Sequence, residues 1–146
     1  WNNTLNYKNW TLTAFFQGTF GNKIMNLPRA QYNNVTNLGV GKNGLKEIIE
    51  LNKPNDVNAQ APSDRYIEDG SYLRLSTLSL SYDFGKIGNW INNLKLTATC
   101  NNVFTITGYS GTDPEVSLGG VEPGIDWRNS FYPRTRTFML GLNVNF

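Results

Sequence analysis

The chain has 146 residues, enough to bury a core of its own, and its formal net charge is only +2 at neutral pH. This charge provides no extended positive surface, so nucleic acid is excluded as a partner. Charged residues make up 16% of the sequence, against about 25% in globular proteins, whereas aromatic residues reach 13%. The polarity therefore comes mostly from uncharged side chains, which is not typical of an ordinary globular domain.

The side chains that perform chemistry in enzymes are few. The sequence contains no histidine and a single cysteine, Cys100, so His-based triads and zinc or iron–sulfur sites are absent. A lone cysteine is more typical of packing than of chemistry. Carboxylates occur as Glu68-Asp69 and as Asp113 with Glu115, but nothing indicates the facing pair that a glycosidase needs. We therefore expect no catalytic residue, no cofactor and no enzyme activity.

The hydropathy of the chain excludes one kind of membrane crossing and permits another. Mean hydropathy is −0.41, and the absence of any run of about 18 apolar residues excludes a transmembrane helix. Transmembrane strands remain possible, because each needs only about 10 residues with every second one apolar. The chain opens at Trp1 with no methionine or apolar leader, so we expect it to be a piece of a longer protein.

The first period-two pattern runs from Trp10 to Phe20. The apolar face holds Trp10, Leu12, Ala14, Phe16 and Phe20, and the polar face holds Thr11, Thr13, Gln17 and Thr19. Phe15 interrupts the polar face. Such alternation predicts a β-strand with one apolar and one polar face. The long segment that follows, residues 21–70, has no such alternation. Its apolar residues between Leu45 and Leu51 are interleaved with charged ones, which predicts one short helix of about two turns that ends before Pro54.

Two more strands follow in close succession. The apolar residues are Leu78, Leu80, Tyr82 and Phe84 in one strand and Leu94, Leu96, Ala98 and Cys100 in the other. Upstream, the phase slips at Leu75, which predicts a β-bulge near Ser76. Beyond Asn101 the phase stays open, because Val103 and Phe104 are adjacent. The last pattern, Thr137 to Phe146, alternates strictly between apolar residues and small or amide-bearing ones.

The connections between these four strands differ greatly in length. Residues 85–93 form a short turn, whereas residues 21–70 and 107–133 are long. Short turns at one end and long loops at the other are typical of outer-membrane β-barrels, in which the last strand ends at the periplasm. We therefore expect both long loops to face the cell exterior. The same alternation also fits a soluble antiparallel sandwich, in which a second sheet covers the apolar faces.

The second long loop holds the candidates for ligand or partner binding. Its aromatic residues can stack on sugar rings or contact a partner protein, or they can pack within the loop; they are Tyr109, Trp127, Phe131 and Tyr132. Asp113-Pro114-Glu115 favours a turn, with Asp first and Pro second. A cation site from Asp113, Glu115 and Asp126 is the less favoured alternative, because their spacing matches no known metal loop.

Several ordered segments together resemble the SusC/RagA-type TonB-dependent outer-membrane transporters of Bacteroidetes. Residues 63–75, SDRYIEDGSYLRL, resemble a family signature, and residues 101–116, NNVFTITGYSGTDPEV, resemble a second. The C-terminal YPR, with the following FMLGL and the final Phe146, is similar to the family's terminus. Asn101 and Val103 depart from the commoner Gln and Leu, and residues 40–58 lack an expected Trp-rich stretch.

The resemblance implies an all-β fold: residues 1–146 would be the C-terminal four antiparallel strands of a 22-stranded transmembrane barrel with long extracellular loops. The plug and earlier strands would lie outside this chain. The motif residues that the resemblance marks as structural are Glu68, Asp69, Gly70, Tyr72, Arg74, Asn102, Pro114 and Phe146. Arg74 is expected to face inward and to pair with Glu68, Asp69 or a carboxylate on another strand, because an arginine facing lipid at the midplane costs about 2–4 kcal/mol.

The implied function is active import of nutrients across the outer membrane, with an oligosaccharide as the expected cargo and a peptide or a metal chelate as the alternatives. The implied partners are a SusD-like surface lipoprotein, TonB through the missing N-terminal region, the barrel-assembly machinery through the C-terminal strand, and membrane lipid. Two other functions remain open at this point: a secreted carbohydrate-binding module and a passive porin-like channel.

Overall fold

A computed structural model describes residues 1–51, 63–116, 124–127, 132 and 134–146. The chain divides into two compact units. The strand unit consists of Trp1–Thr19, Tyr72–Ile106 and Arg134–Phe146, and the loop unit of Phe20–Ser71 and Thr107–Pro133. None of the helices in the described ranges is long and apolar enough to cross a membrane.

The described elements are mostly strands. In chain order they are β1 (Asn2–Tyr7), β2 (Trp10–Thr19), β3 (Lys23–Asn26), α1 (Leu27–Tyr32), α2 (Val35–Gly39), α3 (Ile48–Leu51), a 3₁₀ turn (Asp64–Tyr66), β4 (Ile67–Asp69), β5 (Tyr72–Ile87), β6 (Ile91–Thr107), β7 (Ile125–Asp126) and β8 (Thr137–Asn145). The strand unit is one sheet in the order β1-β2-β5-β6-β8.

The four predicted strands are confirmed as β2, β5, β6 and β8, and β1 adds a fifth. A tight turn joins β1 to β2, since Tyr7 pairs directly with Trp10. Lys8 occupies this turn with a φ of 51°, a left-handed conformation that usually favours glycine or asparagine. Strand β1 was not predicted from the sequence, because Lys8-Asn9 lacks the glycine that normally marks such a hairpin.

Polar side chains form a ladder of hydrogen bonds between β5 and β6 on one face of the sheet. Hydrogen bonds join Thr77 to Asn101 at 3.0 Å, Ser79 to Thr99 at 3.0 Å, and Ser81 to Thr97 at 2.9 Å. The opposite face is apolar and exposed. On β8, Leu140 is 83% exposed, Phe138 75% and Leu142 65%. The two-faced character predicted from alternation is therefore present in β5, β6 and β8.

The bulge predicted near Ser76 is confirmed. Phe15 pairs with Thr77 and Phe16 with Leu75, so Ser76 is the extra residue in β5. The bulge restores the phase and returns Leu75 to the apolar face. It also turns Arg74 to the polar face, opposite Gln17.

The strand phase that the sequence left open beyond Asn101 follows from one hydrogen bond. Arg74 Nε donates to Thr105 Oγ1 at 2.9 Å, so Thr105 lies on the polar face with Arg74. Because side chains alternate along a strand, Phe104 and Ile106 lie on the opposite face.

The loop unit has a small sheet of its own, in the order β4-β3-β7. Strand β3 pairs antiparallel with β4, which belongs to the same long loop, and parallel with β7, which belongs to the other. The predicted amphipathic helix begins later than expected, since α3 starts at Ile48 and is preceded by a turn. The expected end before Pro54 lies outside the described residues.

Candidate functional site

The Glu68 carboxylate accepts hydrogen bonds from three residues of the loop unit. Its Oε1 accepts hydrogen bonds from Arg29 Nη1 at 3.0 Å, Asn26 Nδ2 at 3.1 Å and Ser110 Oγ at 2.8 Å. Its Oε2 accepts from the backbone N–H of Ser110 at 2.8 Å. Burial raises the pKa of Glu68, but these donors outweigh it and hold the pKa below its usual value. Glu68 is therefore a stable anion near neutral pH.

Arg29 joins Glu68 to a second carboxylate. Its Nε and Nη2 donate to the two oxygens of Glu47 at 2.7 and 2.8 Å, which is a bidentate pair. This hydrogen bonding lowers the pKa of Glu47 to about 2. Asn26 positions Arg29, because its Oδ1 caps α1 by accepting the Arg29 backbone N–H at 2.9 Å.

Tyr109 and Asp126 form a second buried contact in the same unit. The tyrosine hydroxyl donates to Asp126 Oδ2 at 2.6 Å, and burial together with this anion raises the pKa of Tyr109. Gly111 packs against the tyrosine ring so closely that a Cβ at this position would collide with it. The glycine therefore leaves room for the ring to lie beside Asp126.

A cleft of about 790 Å³ lies beside these contacts. Its described lining includes Arg29, Glu47 and Glu68 from the first long loop, and Ser110 and Asp126 from the second. The volume falls in the range of small-molecule sites, about 300–1,000 Å³. Arg29 pairs with Glu47 and Glu68, and Asp126 is bonded to Tyr109, so these groups hold the described parts of the two loops together.

The candidate binding residues fall into different environments. Tyr109 is buried and bonded to Asp126, which favours the alternative of packing within the loop. Trp127 is 46% exposed and Tyr132 90% exposed, and ligand or partner contact by these two stays a prediction. Phe131 lies outside the described residues.

The Asp113-Pro114-Glu115 segment forms the expected turn. Asp113 Oδ1 accepts the Glu115 backbone N–H at 2.9 Å, and Pro114 is buried. Within the described ranges, no group of three or more carboxylate, cysteine or histidine side chains is arranged to hold a metal ion. Asp126 is instead bonded to Tyr109.

Comparison with known proteins gives the family. The chain is 32% identical over 167 residues to the TonB-dependent receptor P3 of Formosa agariphila, an alignment that covers 99% of this chain and 16% of that receptor. It is 37% identical over 90 residues to the TonB-dependent receptor SusC of Bacteroides thetaiotaomicron, over 58% of this chain and 8% of SusC. The chain belongs to the SusC/RagA-type TonB-dependent outer-membrane transporters.

The fold agrees with this family. A solved structure described as the RagAB peptide transporter aligns with a TM-score of 0.74 over 97% of this chain and 16% of that one, at 22% identity. The structure of the RagAB peptide importer in the open-open state aligns with a TM-score of 0.70 over 96% of this chain and 16% of that one, at 21% identity. No family model matches the chain. This SusC/RagA-type chain thus spans 16% or less of the curated relatives named above.

The motif residues of this SusC/RagA-type chain have identifiable structural roles. Asp69 Oδ1 accepts the Ser71 backbone N–H at 2.8 Å, and hydrogen bonds from Ser71 lower the pKa of Asp69. A Cβ at Gly70 would collide with the side chains of Asn22 and Ile24, so only glycine fits at this position.

The strand-unit motif residues serve the sheet. Arg74 is buried, and its guanidinium lies 5.5 Å from the ring centroid of Tyr72, which is also buried. Asn102 adopts a left-handed φ of 52°, which asparagine tolerates, and donates to the Thr135 carbonyl at 2.9 Å. Phe146 is 82% exposed.

Sequence reasoning missed Arg29, Asn26, Glu47 and Ser110, which complete the Glu68 network. Glu68 was one of three groups expected to pair with Arg74, beside Asp69 and a carboxylate on another strand, whereas in the structure the arginine that pairs with Glu68 is Arg29. No sequence signal points to Arg29, since it lies 39 residues from Glu68 in a segment without periodicity. The one sequence signal for Ser110 is that it belongs to the second motif, residues 101–116.

Proposed function

We propose that residues 1–146 form the C-terminal part of the barrel of an active nutrient importer in the outer membrane. The observation that carries this proposal is the sheet of the strand unit, with a polar ladder on one face and exposed leucine and phenylalanine on the other. In a barrel of this family the polar face lines the interior and the apolar face contacts lipid. The membership of the chain in the SusC/RagA type supports the same assignment.

The complete transporter would be a 22-stranded barrel with an N-terminal plug, in a complex with a SusD-like surface lipoprotein. TonB would drive it through the N-terminal region, and the barrel-assembly machinery would act on the C-terminal strand. In this orientation the turns β1–β2 and β5–β6 and the C-terminus would face the periplasm, and the two long loops would face the exterior. The proposed cargo is an oligosaccharide, with a peptide as the alternative.

Uptake by the full-length parent protein tests this function. The parent and its surface lipoprotein are expressed in a deletion strain, which is given a fluorescent neutral oligosaccharide or a fluorescent oligopeptide, with and without a protonophore. We expect oligosaccharide uptake that the protonophore abolishes, because TonB needs the proton-motive force. Uptake that continues in the presence of the protonophore indicates a passive porin-like channel. Uptake of the oligopeptide and not of the oligosaccharide would show that the cargo is a peptide.

A further inference from the structure

The two sequence motifs of the long loops meet at one carboxylate. Glu68 belongs to the motif of residues 63–75, and Ser110 to that of residues 101–116. Ser110 donates to Glu68 twice, from its backbone N–H to one oxygen and from its hydroxyl to the other, each at 2.8 Å. The two residues are 42 positions apart, so this contact forms only when both loops are folded.

A second contact lies next to the first. Tyr109, the neighbour of Ser110, is bonded to Asp126, and Asp126 pairs with Asn26 through the parallel strands β7 and β3. The Asn26 side chain donates to Glu68 at 3.1 Å and reaches Ser110 Oγ at 3.1 Å. The two contacts therefore belong to one network that runs through Asn26.

The network needs the negative charge of Glu68. Donors face both oxygens, with Arg29 and Asn26 on Oε1 and the Ser110 backbone on Oε2. The side chain is only 12% exposed. An amide at this position would place an N–H₂ group against at least one of these donors and would leave a buried donor without an acceptor.

From this geometry we infer that Glu68 locks the two long loops into one ordered body before any ligand arrives. The lock makes the order of the second loop, residues 107–116, depend on a residue of the first. Because both loops line the same cleft, the shape of that cleft also depends on Glu68. This inference concerns the order of the loops and does not depend on what the transporter carries.

Hydrogen–deuterium exchange of the full-length protein in detergent, without ligand, tests the lock. In Glu68→Gln we expect exchange to rise about tenfold or more in residues 24–32 and 107–116 together, from the loss of charge-assisted hydrogen bonds. Strands β5 and β8 should keep the protection of the wild type. Unchanged protection of residues 107–116 in this variant overturns the inference.

Glu47→Gln is the matched control, because Glu47 pairs with Arg29 within the first loop, whereas Glu68 also accepts two hydrogen bonds from Ser110 of the second. This variant should raise exchange near residues 26–33 and leave residues 107–116 protected. An equal rise in exchange of residues 26–33 and 107–116 in Glu47→Gln contradicts the inference that Glu68 joins the two loops.

Ser110→Ala covers the case in which Glu68→Gln fails to fold as a heat-modifiable barrel. Because it keeps the charge and the backbone donor of Ser110, it should raise exchange in residues 107–116 by a smaller factor. If Ser110→Ala leaves the exchange of that segment unchanged, the inference is overturned.

Discussion

The Tyr109 hydroxyl lies 2.6 Å from Asp126 Oδ2 and donates a hydrogen bond to it, and both side chains are buried. The contact ties the start of the second long loop to a strand 17 residues later. A buried carboxylate is costly unless hydrogen bonds compensate it, so the tyrosine and the aspartate depend on each other.

Tyr109→Phe should loosen the loop unit without harming the sheet. Loss of the hydroxyl removes a donor from buried Asp126, at a cost of about 1–3 kcal/mol. Limited proteolysis of the folded full-length protein should show faster cleavage in residues 107–127. Tyr132→Phe is the control, because Tyr132 is 90% exposed and should change nothing. Equal cleavage rates in Tyr109→Phe and wild type would contradict a stabilising role for this bond.

Gly111→Ala should displace the ring of Tyr109. The new Cβ would collide with the ring, and overpacking of this kind costs about 1–3 kcal/mol. Gly108→Ala is a matched control three residues earlier, since no atom lies within 4 Å of its Cβ position. Hydrogen–deuterium exchange of residues 107–116 is the measurement, because the fluorescence of Tyr109 overlaps with that of other aromatic residues. Similar exchange in the two variants argues against steric selection of Gly111.

Leu140→Arg tests which face of the sheet meets lipid. Leu140 lies on the exposed apolar face opposite Ala98, and an arginine at the bilayer midplane costs about 2–4 kcal/mol. Met139→Arg is the control, because Met139 is the preceding residue and lies on the polar face opposite Thr99.

The heat-modifiable gel mobility of the outer-membrane fraction reports the amount of folded barrel. We expect Leu140→Arg to be depleted and Met139→Arg to be retained. Depletion of both variants to the same extent would show that the face of the sheet makes no difference. A soluble parent protein indifferent to Leu140→Arg would instead favour the carbohydrate-binding module.

The ion pair of Arg29 and Glu47 should survive moderate acid. Hydrogen bonding from Arg29 lowers the pKa of Glu47 from 4.5 to about 2. A lowered folded-state pKa contributes stability that is complete above pH 4.5 and is lost as the pH falls through about 2. Pepsin should cleave Glu47→Gln faster than the wild type. The ratio of the two cleavage rates should therefore be constant from pH 5.5 to 4.5 and fall toward one near pH 2. A ratio that does not vary with pH excludes a charge effect.

Alternation along the chain was sufficient to predict β2, β5, β6 and β8, their two faces and the bulge at Ser76. These features are local, because successive side chains in a strand point to opposite faces of the sheet. A shift of one residue therefore moves the apolar side chains to the polar face. Strand β1 was missed because its two apolar residues, Leu5 and Tyr7, are too few and its turn lacks glycine. The start of α3 was placed too early, since Lys46 and Glu47 fit a helical period but form a turn.

The sequence by itself determined the strands, their polar and apolar faces, the unequal loops and the family, because each of these depends on short-range pattern or on ordered motifs. Only the tertiary structure decided that Glu68 pairs with Arg29 and Ser110, and that Tyr109 is buried against Asp126. A hydrogen bond leaves no periodic trace in the sequence when its partners lie 17 to 42 residues apart in irregular segments. The physical reason is that such partners are selected by the folding of the loops, which brings several donors to one buried carboxylate at once.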